Sequence, residues 1–138
     1  SSSDVFIAMV TQSQYLVNQQ GQSEMTLKAS SGDSVRWLIT SFDGGTDYSV
    51  YVYASSFNPA DDIASTVYMN LQTNEYLPPN SDTTQNPVKV VNHIYVAQST
   101  ITGSTGTQIQ YTMSFAVYDN KNQQMVGHFF WDPFINIV

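Results

Sequence analysis

QIQYTMSFAVYDNKNQQMVGHFFWDPFINIV, residues 108–138, sets apolar side chains at every second position of its first half: Ile109, Tyr111, Met113, Phe115 and Val117. A period of two belongs to a strand with one buried face. The polar run DNKNQQ breaks the alternation before a second apolar segment, so residues 108–131 predict an antiparallel hairpin. Past the turn, GHFFW reads at first as an aromatic binding patch. The same period instead puts Phe129 and Trp131 on one face and His128 and Phe130 on the other, which makes at least two of the four rings core. Pro133 has no N–H to give to a ladder and is expected to mark a bulge or kink. Beyond it, FINIV completes the sheet with Ile135 and Ile137 inward, because burying Asn136 would require a partner for its amide.

Period two continues upstream. EMTLKAS alternates Met25, Leu27 and Ala29, and SVRWLITSF alternates Val35, Trp37 and Ile39. Between them, SSGD is a turn in which Gly32 supplies a positive φ and Asp33 bonds the neighbouring backbone. DYSVYVYASSF sets Tyr48, Val50, Val52 and Ala54 against Ser49, Tyr51 and Tyr53. Residues 58–87 break the pattern with Asn58-Pro59, Pro78-Pro79 and NSDTTQNP, and read as a long irregular excursion holding one short strand at STVYMNLQ. PVKVVNHIYVAQSTI resumes as a strand, closed by the turn TGSTGTQ. With DVFIAMV near the start, the chain predicts an all-β fold: a single antiparallel β-sandwich domain over residues 1–138, of about seven or eight strands, Greek-key/immunoglobulin-like or jelly-roll-like. Trp37, Phe129, Trp131 and Pro133 are its expected anchors.

A chain of 138 residues suits one domain, burying roughly 68% of the surface its unfolded form exposes. Charged residues make up 11%, against a usual figure of about 25%, and Ser, Thr, Asn and Gln take their place. The four basic residues, Lys28, Arg36, Lys89 and Lys121, are scattered among eleven acidic ones, for a net charge of −7. No basic stripe exists to neutralise phosphates, which excludes nucleic acid and disfavours an anionic membrane as partner. No apolar run approaches the roughly 20 residues of a membrane helix. With no cysteine, disulfides, thiolate catalysis and cysteine-ligated metals are ruled out. SSSDVFIAMV lacks the basic and apolar regions of a signal peptide.

Motifs for chemistry are sparse. His93 and His128 are two potential ligands where a metal site usually needs three or four, and ordinary strand histidines fit better. No GxSxG elbow appears, and the glycine-rich stretches SFDGGTD and TGSTGT lack the lysine and helix of a phosphate loop. No catalytic residue, metal ligand or cofactor is assigned. Asp43 and Asp47, joined by Asp61 and Asp62, offer oxygen ligands for calcium without EF-hand order, and a solvated turn explains FDGGTD better. Tyr51 and Tyr53, if outward, could stack on a sugar ring or on a partner, or equally form cross-strand pairs. Asp43, Asp47, Tyr51 and Tyr53 are the candidate surface for a ligand or for self-association.

ASSGDSVRWLITSF (29–42), YSVYVY (48–53), YTMSFAVYDNKNQQMVGHFF (111–130) and WDPFINIV (131–138), in this order and spacing, resemble the PixA/AidA family of bacterial inclusion-body proteins. The segment VFIAMVTQSQYLV departs from the family, carrying Thr and Gln where acidic residues are expected. The resemblance implies a small non-enzymatic β-sandwich, made abundantly in a density- or phase-dependent way by host-associated bacteria, cytoplasmic and in some members stored as inclusions, with secretion left open. A cupredoxin reading of GDSVRW fails for want of a cysteine and of a histidine after Trp37. Two functions follow. The first is ordered self-association as a homo-oligomer, a dimer to begin with; the second is a module binding a carbohydrate or host protein through Tyr51, Tyr53 and the loops.

Overall fold

Nine strands form in the computed structural model, which describes residues 9–138: β1 (Leu16–Asn18), β2 (Thr26–Ala29), β3 (Ser34–Leu38), β4 (Tyr48–Asn58), β5 (Val67–Leu77), β6 (Val88–Thr100), β7 (Gln108–Asp119), β8 (Gln124–Trp131) and β9 (Phe134–Ile137). Most of DVFIAMV lies outside the described residues. The larger sheet has the order β1-β2-β9-β7-β4, with β8 also paired to β7; the smaller has the order β3-β6-β5. The alternation read in residues 108–119 is the core face of β7, where Ile109, Tyr111, Met113 and Phe115 are buried. Against them the small sheet sets Trp37 and Ala97, and Ala29, Val52, Ile101, Trp131, Ile135 and Ile137 complete the cluster.

The two sheets are an all-β sandwich, with two corrections to the expected design. The pairing is not wholly antiparallel, since β2 and β9 run parallel over four residues. The stretch 58–87 is also more regular than the prolines suggest. Within it, β5 is an eleven-residue strand paired with β6 from Val67↔Gln98 to Leu77↔Val88 without a break. Prolines at 59, 78, 79 and 87 bracket this strand rather than interrupt it, so they confine the irregular backbone to its ends.

Pro133 makes no bulge. Trp131 faces Met113 and Phe134 faces Gln110, an advance of three residues on each strand, so β8 and β9 follow β7 in one register across the Asp132-Pro133 step. The proline only replaces a donor, and its carbonyl accepts from the Tyr111 N–H at 3.0 Å. Unchanged register keeps the odd positions inward: Trp131, Pro133, Ile135 and Ile137 are buried, and Phe129 packs against them in part. In the SSGD turn Gly32 has φ 93°, and Asp33 Oδ2 accepts from the Ser30 N–H at 2.9 Å.

Strand β9 is the link between β1-β2 and β7 among the described residues. Deleting residues 134–138 should therefore unfold the domain, and a soluble chain ending at Pro133 that still melts cooperatively would overturn this. Ile135→Ala, at a side chain with no exposure, should lower unfolding free energy in urea by about 2–5 kcal/mol while keeping the fold.

Candidate functional site

The loop between β3 and β4 is organised by Asp43. Gly44 and Gly45 take left-handed backbone, with φ 71° and 86°, and so fold SFDGGTD back on itself. The Asp43 carboxylate then accepts from the Ser41 hydroxyl and from the N–H groups of Gly45 and Asp47, each at 3.0 Å. These bonds, the Ser41 hydroxyl first and the Asp47 N–H next, hold its pKa below the usual carboxylate range. Asn120 in the β7-β8 turn fastens the loop, donating its N–H to the Asp47 carbonyl at 2.9 Å and accepting from Ser49 Oγ at 2.7 Å. Asp43 therefore braces its own loop, with three bonds from that loop on its carboxylate.

The other calcium candidates are elsewhere. Asp61 and Asp62 lie in a short 3-10 turn beyond the far end of β4, whose eleven residues span about 35 Å. Among the described residues, no three His, Asp or Glu side chains converge in a way that could hold a metal ion. Asp47 and Tyr53 are likewise separated by about 20 Å of extended chain. The four residues Asp43, Asp47, Tyr51 and Tyr53 do not form one surface.

Tyr51 and Tyr53 also part from each other. Strand β4 carries an irregularity between Val52 and Ala54, whose partners on β7 are the consecutive residues Phe115 and Ser114, leaving Tyr53 as the extra residue of a bulge. Its ring, 43% exposed, meets His128 edge-on at 5.2 Å. Tyr51 is half-buried and meets Tyr95 of the small sheet edge-on at 6.0 Å, while Tyr95 stacks on Tyr68 at 6.5 Å. Tyr51 thus closes the seam between the sheets. Tyr53 remains available to a ligand.

Beside Tyr53 a groove of about 580 Å³ runs between β4 and the start of β5, lined by Tyr53, Phe57, Ile63 and Tyr68 together with the hydroxyl-bearing Ser55, Ser56, Ser65 and Thr66. Thr66 Oγ1 joins Ser55 Oγ at 2.5 Å and Ser99 Oγ at 2.9 Å, a hydroxyl chain from the groove to the small sheet. Among the described residues the lining has no carboxylate, histidine, lysine or arginine. An uncharged lining of hydroxyls and aromatic edges can bind a neutral polar group by hydrogen bonds and stacking, but supplies no acid or base of ordinary strength. The chain of sequence gave no sign of this groove, since its hydroxyls are ordinary members of a Ser/Thr-rich composition until folding brings residues 55, 66 and 99 together.

The family model described as "PixA: Inclusion body protein" matches residues 2–137. Among solved structures, the chain is similar to an inclusion body protein of Burkholderia cenocepacia J2315, with a TM-score of 0.69 and 16% identity, covering 93% of this chain and 73% of that one. No curated protein matches.

Because the folded pKa of Asp43 is depressed, its bracing is complete above the ordinary aspartate value of about 4 and is lost as pH falls through the folded value. Protection of the Gly45 and Asp47 amides, relative to their intrinsic exchange at each pH, should be lost as pH falls through the depressed Asp43 value. Asp43→Ala should show this loss already at pH 7, with the cooperative unfolding transition retained.

Proposed function

The chain belongs to the PixA family of inclusion body proteins, and from that premise we propose that it is a non-enzymatic protein whose function is ordered self-association, beginning with a homodimer. The reading extends to storage in the bacterial cytoplasm after density- or phase-dependent production. One observation carries it: exposed apolar side chains concentrate on the β5-β6 ribbon. Val67, Tyr76 and Leu77 on β5 and Val88, Val90, Val91 and Tyr95 on β6 are all exposed. Around them lie mostly amides and hydroxyls, with Glu75 and Lys89 the only carboxylate and ammonium on the two strands, a surface that sheds water at lower cost than a densely charged one. The net charge of −7 opposes indiscriminate aggregation and favours a defined, symmetric contact. Dynamic light scattering over a concentration series should find a dimer at neutral pH and larger species as pH approaches the pI of about 4.2. A strict monomer throughout would overturn the reading.

The uncharged groove beside Tyr53 supports a second reading, a module for a neutral carbohydrate. Its test is a glycan array with and without calcium. Binding that Tyr53→Ala abolishes is the expected result, and no binding in either condition retires it.

A further inference from the structure

Strand β5 pairs with β6 along one side and with no described strand along the other. Exposed edges are commonly defended by shortness, bulges, prolines or lysines. Other edges here have such defences: β1 has three residues, β3 has five with Arg36 among them, β4 is bulged at Tyr53, and β8 is bulged at Val126 where its register against β7 shifts. The β5 edge runs eleven residues, without proline or lysine and in unbroken register with β6. Its single charge is Glu75.

The sequence of this edge, VYMNLQTNEYL, is a near-palindrome about Gln72. Asn70 and Asn74 stand two residues to either side, Tyr68 and Tyr76 four, and the aliphatic Val67 and Leu77 five. When two identical strands pair antiparallel, a two-fold axis passes between them, and residues equally distant from the centre face each other. We propose that β5 pairs antiparallel with β5 of a second copy, with Gln72 facing Gln72, joining two three-stranded sheets into one of six strands. This rests on the self-association reading and names its surface.

In this register amide faces amide, Tyr68 faces Tyr76, and Val67 faces Leu77. Glu75 faces Met69, so no like charges are opposed. Eleven facing residues supply about ten ladder hydrogen bonds, the number a standard protein interface carries. Thr73 Oγ1, beside the axis, is buried with no hydrogen-bond partner among the described residues, and the pairing brings the second copy's backbone alongside it. Tyr76, 65% exposed in the single chain, comes to lie by Tyr68 of the groove lining.

The axis makes the test specific, because a charge at position 72 meets its own copy. Gln72 is exposed, so Gln72→Lys and Gln72→Glu should fold normally by circular dichroism. In analytical ultracentrifugation each alone should raise the dimer dissociation constant at least about ten-fold. An equimolar mixture of the two should restore dimerisation as a heterodimer. The chain has no cysteine, so single substitutions give a second readout: under mild oxidation Gln72→Cys should crosslink to a covalent dimer, and Asn74→Cys, which faces Asn70, should not. If wild type dimerises while both charge variants dimerise equally well, or the mixture restores nothing, or Asn74→Cys crosslinks as readily as Gln72→Cys, the pairing is wrong and self-association stands. If wild type stays monomeric at every concentration, both fall together.

Discussion

The hydrogen bond from Trp37 Nε1 to the Tyr111 hydroxyl, at 3.1 Å, joins the two sheets at the centre of the core. Trp37 lies on β3 and Tyr111 on β7, 74 residues apart, and their rings pack at 5.4 Å with Phe57 as a third member. A buried indole N–H needs an acceptor, and the Tyr111 phenol oxygen supplies it. Burial pushes the phenol pKa well above its ordinary value, so Tyr111 enters the core neutral. The contact sets the position of β3 against β7, and with it the approach of every strand paired to either.

Strand β7 extends this constraint. It pairs β4 along one side and β8 followed by β9 along the other. The Asp132-Pro133 step lets one face of that long β8-β9 path change its hydrogen bonding without changing its register. The aromatic ending is therefore a seam of the sandwich, and the surface left for function lies away from it, on the small sheet and along β4. There the bulge at Tyr53 and the uninterrupted edge of β5 are opposite solutions to one problem. A bulged edge resists another strand, and a flat one accepts it.

Much of this was legible from residues alone because strand periodicity is local. Inward faces for Phe129, Trp131, Ile135 and Ile137, the positive φ of Gly32 and the all-β class all follow from neighbours one or two positions away. The prolines around β5 concealed a strand because their effect depends on whether they fall inside an element or at its end. Tyr51 and Tyr53 looked equivalent because alternation assumes an unbroken ladder, and the bulge between Val52 and Ala54 separates their surroundings. FDGGTD reads as a turn and folds as one, but nothing in its letters says that the Asp43 carboxylate accepts three bonds from its own loop.

Which side chains each strand buries and where the chain turns can be read from the residues, since both depend on φ, ψ and hydrophobicity over a few positions. The residues also carry the family likeness. Which strands are neighbours emerges only from the folded chain, because pairing joins residues far apart in sequence through backbone groups that all residues share. That is why the parallel contact of β2 with β9, the hydroxyl-lined groove and the open side of β5 appear only in the folded molecule. The near-palindrome around Gln72 was always present in the letters. It acquired meaning once folding showed that residues 67–77 form a single strand with one side unpaired among the described strands.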